Sequence, residues 1–284
     1  MNFKISKKEM FSGLLFVIPS IVGLMVFYLI PYILMLGYSI FGNGNVVDRY
    51  MSVLSNSVFN LAAKNTLVFT LISVPLLIIL SMILAIQLNK KLLFRDKLRT
   101  MFIIPLVLPV ASIILFFEMT FDLNGFINMI LNYFNIDAVN WIHSDYAMLV
   151  IITIYLWKNI GYNVVLFLAG LQGIPKSYYE AAELDGANSI NKFRHITFIY
   201  LMPTTFFVLI ISIINSFKVF KEIFILTGAY PNNSIYMLQH YMNNLFHKLE
   251  YPKLVTAAVI MSFVILIVVF VLFKVQKKIM DAIS

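Results

Sequence analysis

Residues 171–203 read LQGIPKSYYEAAELDGANSINKFRHITFIYLMP, and their reading decides what kind of chain this is. They form the one long polar, helix-capable passage, with strongly apolar blocks on either side. Pro175 suits an early helical position, because its missing N–H is one of the donors that a helix start leaves unpaired. Lys176 through Leu184 holds good helix formers, and Tyr179, Ala182 and Glu183 share a face. Gly186 stands where a helix stops in the left-handed conformation. Asn188 or Ser189 can then cap a second short helix through Arg194 and His195. The expectation is a helix–turn–helix hairpin over 172–197, leading into an apolar segment that contains Pro203. An amphipathic hairpin on the face of a membrane protein is suited to gripping a partner.

Composition fixes the surroundings. Hydrophobic residues make up 61% of the chain, charged residues 12%, and mean hydropathy is +0.90. That is a polytopic membrane protein rather than a soluble globular one. Its 284 residues hold about six spans at about 20 residues each. A formal charge of +8 would suggest nucleic acid in a soluble domain. Here the basic residues serve to orient the spans, and nothing else supports nucleic-acid binding. The absence of cysteine excludes disulfides, thiol catalysis and Cys-based metal sites. The N-terminal apolar block is too long for a signal-peptide core and lacks a clear cleavage site.

Spans are expected over 13–40, 62–88, 101–121, 146–171, 198–226 and 254–273. The first contains Pro19 and Pro31, the third Pro105 and Pro109. Residues 41–61 read as a polar outer loop with Asn43, Asn45 and Asp48, and 122–145 as a longer loop without Lys or Arg. A third outer loop is expected over 227–253. Fourteen of the 21 Lys and Arg residues fall in alternate connections: Lys4, Lys7 and Lys8; Lys90, Lys91, Arg95, Lys97 and Arg99; Lys176, Lys192 and Arg194; Lys274, Lys277 and Lys278. Arg49, Lys64, Lys248 and Lys253 lie on the other side. This bias puts both termini and the hairpin in the cytoplasm. The chain divides into 1–61, a basic tail, first span and outer loop, and 62–284, a five-helix core.

Enzymatic signatures are missing. There is no G-x-x-x-x-G-K-[ST] phosphate loop, no H-E-x-x-H and no G-x-S-x-G, and His143, His195, His240 and His247 are scattered. Ionisable residues inside spans are functional candidates by default. Lys158, Lys218, Lys221 and Glu222 qualify, with Trp157, Asn159 and Asn215 as aromatic or amide neighbours that would suit a sugar. The plainer alternative is that Lys218, Lys221 and Glu222 reach the interface or pair across a subunit boundary.

At the hairpin the chain resembles a known family. Glu180, Ala181, Ala182 and Gly186 are spaced as in the EAA signature of membrane-spanning permeases of binding-protein-dependent ABC importers, with Ile196 and Pro203 downstream. Ala169 to Pro175 resembles the A-G-L-Q-x-I-P lead-in of the carbohydrate subfamily. Ser216 to Phe220 resembles its S-F-x-x-F, and Leu226 to Pro231 its L-T-G-G-P, departing at Ala229-Tyr230. Asn232 and Ser234 fit an N-x-[ST]-like continuation. The likeness runs from Asn65 to the C-terminus. It also takes in the first span, in the manner of maltose- or glycerol-phosphate-type first permeases.

The resemblance implies an all-α integral membrane fold of six spans in the bacterial plasma membrane, with the hairpin as its ATPase-coupling element. It implies a second permease subunit, two ATPase subunits and an extracellular solute-binding protein, alongside membrane lipid. ATP and Mg would sit on the ATPase subunits, leaving this chain without a cofactor and not an enzyme. Within the hairpin, Tyr179, Glu180, Ala181, Ala182, Asp185, Gly186 and Ala187 would carry coupling. Glu180 would make a charge-assisted contact, Ala181 and Ala182 would permit close approach, and Gly186 would form the turn. Asp185 could instead cap the second helix. A non-sugar solute such as an amino acid, peptide or inorganic anion is the nearest alternative. A stand-alone secondary transporter should show paired inverted repeats with buried acidic residues. A membrane enzyme would need clustered His, Asp or Glu. The sequence shows neither pattern.

Overall fold

Lipid offers the backbone no hydrogen bonds, so apolar runs must close their own and become helices. The computed structural model describes residues 7–42, 44–90 and 95–283, so Lys4, Asn43 and Lys91 lie outside the described residues. All regular structure among the described residues is helical. Six stretches are long and apolar enough to cross a membrane: Phe16–Phe41, Ser57–Asn89, Val110–Tyr133, Ala147–Gln172, Ser189–Thr227 and Tyr251–Ile279. The helices fall into two units, residues 1–56 with 245–264 and residues 57–244 with 265–284.

In the first unit, α1 (Lys7–Leu24) continues through a π turn (Met25–Leu29) into α2 (Ile30–Phe41). The turn has a sequence cause: Pro31 has no N–H to donate, so the ladder slips register just ahead of it. The expected loop 41–61 is instead mostly helical. Asn45 caps α3 (Val46–Leu54) by accepting the Val47 N–H at 3.0 Å. Arg49 then folds α3 back onto α2, donating to the carbonyls of Tyr38 (3.0 Å) and Ile40 (3.2 Å). Those carbonyls belong to the last turn of α2, where a cation also meets the negative end of the helix dipole. Near the C-terminal part of this unit, Lys253 bonds Glu250 at 2.5 Å and holds its carboxyl below the usual range.

In the second unit, α4 (Ser57–Asn89), α5 (Arg95–Val107), α6 (Val110–Phe121), α7 (Phe126–Tyr133) and α8 (Ala147–Gln172) precede the hairpin. The third expected span, 101–121, is not continuous. Pro109 is extended (φ −56°, ψ 135°) and separates α5 from α6, as expected where a proline also disfavours helix in the residue before it. The expected loop 122–145 contains α7. Helices α4 and α8 pack along each other, and α5 lies against α8. The α5–α8 approach depends on Gly161: a Cβ there would sit 1.5 Å from the carbonyl oxygen of Phe102. Small residues serve this purpose between membrane helices.

After the hairpin come α11 (Phe198–Phe217), α12 (Phe220–Thr227), α13 (Leu238–His247) and α14 (Tyr251–Ile283), the last two contributing to both units. The expected fifth span is therefore broken near Lys218–Val219, and the expected loop 227–253 is partly helical. Asn65 pins that loop by donating to the carbonyls of Asn233 (2.6 Å) and Tyr236 (3.0 Å). His240 is fully buried, edge-on to Phe220 at 4.7 Å and tilted against Tyr236 at 5.7 Å. Burial pushes its pKa down to about 4.

Candidate functional site

The hairpin is built almost wholly from its own residues. Pro175 is extended (φ −60°, ψ 133°) and starts α9 (Lys176–Leu184). The helix ends in a Schellman closure, with the Ala187 N–H on the Ala182 carbonyl at 2.9 Å and the Gly186 N–H on the Glu183 carbonyl at 3.0 Å. Gly186 has φ +75° with nothing within 4 Å of where a Cβ would stand. The backbone conformation, not crowding, is what asks for glycine. Asn188 then caps α10 (Ser189–Lys192), accepting the Asn191 N–H at 2.8 Å. Asp185 stands at the end of α9 and does not take the alternative role of capping the second helix.

The second arm is not a separate short helix. A π turn (Phe193–Thr197) joins α10 to α11 without a break, so that arm is the first turns of the fifth span. Three contacts tie the arms to each other and to that span. The Tyr179 and Thr197 hydroxyls meet at 2.9 Å, Lys192 pairs with Glu183 at 2.7 Å, and Tyr178 stacks on Tyr200 at 5.3 Å. Tyr179 and Ala182 are half-buried on the inward face. Glu180, Ala181 and Asp185 are exposed, and Ala187 is half-buried. Leu184 (91% exposed) and Ile190 (74%) project as an apolar tip that the sequence reading passed over. Its signal was available: Leu184 lies four residues after Glu180, on the face turned away from Tyr179.

Inside the spans, the structure brings together Lys158 on α8 and Glu222 on α12 as an ion pair within this chain. The expectation that Glu222 reaches the interface or pairs across a subunit boundary is thereby corrected. Glu222 is buried, and its Oε2 has no partner. Around the pair runs a polar band, of which Asn159 alone stood among the candidates expected from the sequence. Tyr155, Asn159 and Asn163 recur every fourth residue along α8. Tyr155 Oη donates to the Ser212 carbonyl at 2.7 Å, and Asn163 Nδ2 to Ser212 Oγ at 3.0 Å. Asn159 Nδ2 donates to the Tyr155 carbonyl at 2.8 Å, and the Thr70 and Ser216 hydroxyls meet at 2.9 Å. The i, i+4 recurrence of Tyr155, Asn159 and Asn163, and of Ser212 and Ser216, was the legible sign of this band.

The other candidates are placed differently. Trp157 packs against Phe116 and Phe117 at 6.5 and 5.6 Å. Asn215 is half-buried at the helix break, its carbonyl accepting the Lys218 N–H at 3.0 Å. Lys218 and Lys221 are exposed and make no ion pair among the described residues.

Similar proteins now supply context. The chain is 33% identical over 277 residues to the lactose transport system permease protein LacF of Rhizobium radiobacter, covering 92% of this chain and 91% of that one. It is 37% identical over 233 residues to the arabinooligosaccharides transport system permease protein AraP of Bacillus subtilis, covering 78% and 72%. Its fold matches a chain of a bacterial alginate ABC transporter, solved in complex with an alginate pentasaccharide-bound periplasmic protein. That match has a TM-score of 0.84 at 21% identity and covers 96% of each chain. Residues 65–281 match the family described as binding-protein-dependent transport system inner membrane component. This chain, a multi-pass permease of the bacterial membrane, belongs to that family.

Proposed function

We propose that this permease forms half of the translocation pathway of a sugar importer, driven by ATP hydrolysis on a partner subunit. The observation that carries the coupling reading is the hairpin itself. It presents Glu180, Ala181 and Leu184 outward on a locally closed scaffold and runs without interruption into the fifth span. A push on that scaffold by closing ATPase subunits would be delivered directly to α11 and the broken helix beyond it. The partners are a second permease, two ATPase subunits that hold ATP and Mg, and an extracellular solute-binding protein. Both termini and the hairpin face the cytoplasm. Glu180 makes the charge-assisted contact, Leu184 and Ile190 supply apolar area, and Gly186 keeps the turn.

A sugar as cargo is supported by the names of LacF and AraP, and by the polar band between α8 and α11. Lys158, Asn159, Asn215 and Glu222 offer the amide and charged groups that hydroxyls bind, and Trp157 offers an aromatic face. The test is calorimetric titration of the cognate binding protein with lactose, arabino-oligosaccharides and amino acids. Saturable sugar binding is expected, and exclusive binding of a non-sugar solute would overturn the cargo. Failure of the chain to co-purify with an ATPase subunit would overturn the coupling.

A further inference from the structure

The eight residues of α7 carry an apolar stripe that the described residues leave largely uncovered. Phe126, Met129, Ile130 and Tyr133 follow the i, i+3, i+4, i+7 spacing of one helix face. They are 60%, 58%, 44% and 83% exposed. We propose that α7 is an interfacial anchor that lies in the lipid headgroup layer with this stripe in the acyl boundary.

The helix is not free to roll the stripe elsewhere, because its opposite face is fixed. Ile127 packs on the buried core. Asn128 is wholly buried and uses its entire amide. Its Nδ2 donates to the carbonyls of Asp122 (3.1 Å) and Val139 (2.9 Å). Its Oδ1 accepts the Val139 N–H and the Trp141 indole N–H, both at 3.0 Å. The depth of the helix follows from its neighbours. Helix α6 exposes Leu115 and Met119, as a lipid-facing span does, and Leu123 continues that apolar surface into Phe126. Between them Asp122 is exposed, its Oδ1 accepting the Asn124 N–H at 2.9 Å as the chain turns. A carboxylate is costly in hydrocarbon, so this turn marks the water boundary. The stretch Val110–Tyr133 has the length to cross a bilayer, but the turn between Phe121 and Phe126 interrupts it, and α7 alone, about 12 Å long, cannot cross from there. It can lie along the boundary, where Tyr133 and Phe134, edge to face at 5.4 Å, are the residue type found at membrane interfaces.

The chemistry of the stripe favours lipid over a soluble protein partner. It holds no charged group, whereas a docking face for a soluble partner is about as polar as the rest of a protein surface. The proposal is independent of the cargo and of the coupling reading.

The chain has no cysteine, so Met129→Cys accepts a single environment-sensitive fluorophore. The labelled protein, purified with its accompanying subunits, is placed in phospholipid nanodiscs. Strong quenching by doxyl groups on shallow acyl carbons and weak quenching by aqueous iodide are expected, with the reverse for a label at Asp137→Cys. This matches a face sunk about 5–10 Å into the headgroup and acyl boundary. Dominant iodide quenching at position 129 would overturn the proposal. So would shielding that appears only when the binding protein is added, which would assign the stripe to protein docking. If Met129→Cys lowers the yield, Ile130→Cys reads the same surface.

Discussion

The hairpin and the polar band between α8, α11 and α12 both interrupt an apolar chain with polar residues, but they are assembled in opposite ways. The hairpin closes on near neighbours: Gly186 on Glu183, Ala187 on Ala182, Asn191 on Asn188, with Tyr179 to Thr197 its longest hydrogen bond at 18 residues. The band joins residues 49 apart (Asn163 and Ser212), 64 apart (Lys158 and Glu222) and 146 apart (Thr70 and Ser216). One is exposed and the other buried. Breaking a bond in the hairpin, the buried Thr197 hydroxyl excepted, returns its groups to water, whereas breaking one in the band strands a polar group where water is scarce. The hairpin is therefore the place where function can be damaged while the fold stands. The band is where damage reaches the fold first.

The largest effect should come from Glu222→Ala. It leaves the Lys158 ammonium without its counterion inside the helix packing. Loss of one partner of a buried pair costs about 3–5 kcal/mol, toward the lower end here because Lys158 keeps 23% of its side chain exposed. The measurement is thermal unfolding and folded yield in detergent. Replacing both partners at once, Lys158→Met with Glu222→Leu, should recover much of the loss. If the single and double variants are equally unstable, the pair is not what holds α8 to α12.

That contrast also explains what the sequence disclosed. Gly186 and Asn188 announce their roles because a left-handed stop and an N-cap are set by residues within one turn. The spans follow from runs of apolar residues. Lys158 and Glu222 were each legible as anomalies inside spans, but nothing local says that they meet. Nor does anything local say that Tyr155 reaches the Ser212 carbonyl. The breaks at Pro109 and Lys218–Val219 divide differently: the first has a proline to signal it, the second no breaker residue at all. Helices α3 and α7 were hidden in segments read as loops because each is only eight or nine residues long. Each is fixed by tertiary bonds, from Arg49 and from Asn128, that nothing within so short a segment announces.

His240 extends the comparison to a buried group outside the spans. Folded, it stays neutral down to about pH 4, whereas the unfolded chain takes up the proton near the ordinary value of 6.5. The unfolded state thus binds more protons between those values, and stability falls as pH drops from 6.5 toward 4, then levels off. At about 1.36 kcal/mol per unit the whole loss is about 3 kcal/mol. Unfolding temperature followed through this range should decline, and His240→Asn should flatten the decline. An unchanged slope in that variant would assign the pH dependence to other groups.

On the hairpin side, Gly186→Val places a β-branched residue at φ +75°. The left-handed conformation costs a non-glycine residue about 1–2 kcal/mol, borne by an exposed turn. The chain should still insert and co-purify with its partners, while uptake falls and ATP hydrolysis in the assembled importer continues. Gly186→Asn should do less, since asparagine tolerates this conformation. Normal uptake by the valine variant would break the coupling role and leave the hairpin as a structural cap on the fifth span.

The smallest effect should be that of Lys192→Ala. The Lys192–Glu183 bridge crosses from one hairpin arm to the other at 2.7 Å, yet the Glu183 side chain is 62% exposed. Water and salt already screen the carboxylate end, the Lys192 side chain being only 22% exposed, and largely exposed pairs contribute about 0–1 kcal/mol. A double-mutant cycle with Glu183→Ala, read by thermal unfolding at low and high salt, should give a coupling near the bottom of that range that vanishes with salt. A coupling that survives high salt would mean that the arms are held by this pair rather than by the Tyr179–Thr197 hydroxyls and the shared backbone of α10 and α11. In that event the hairpin would depend, as the buried band does, on a single charged contact, and the distinction between the two regions would narrow to depth alone.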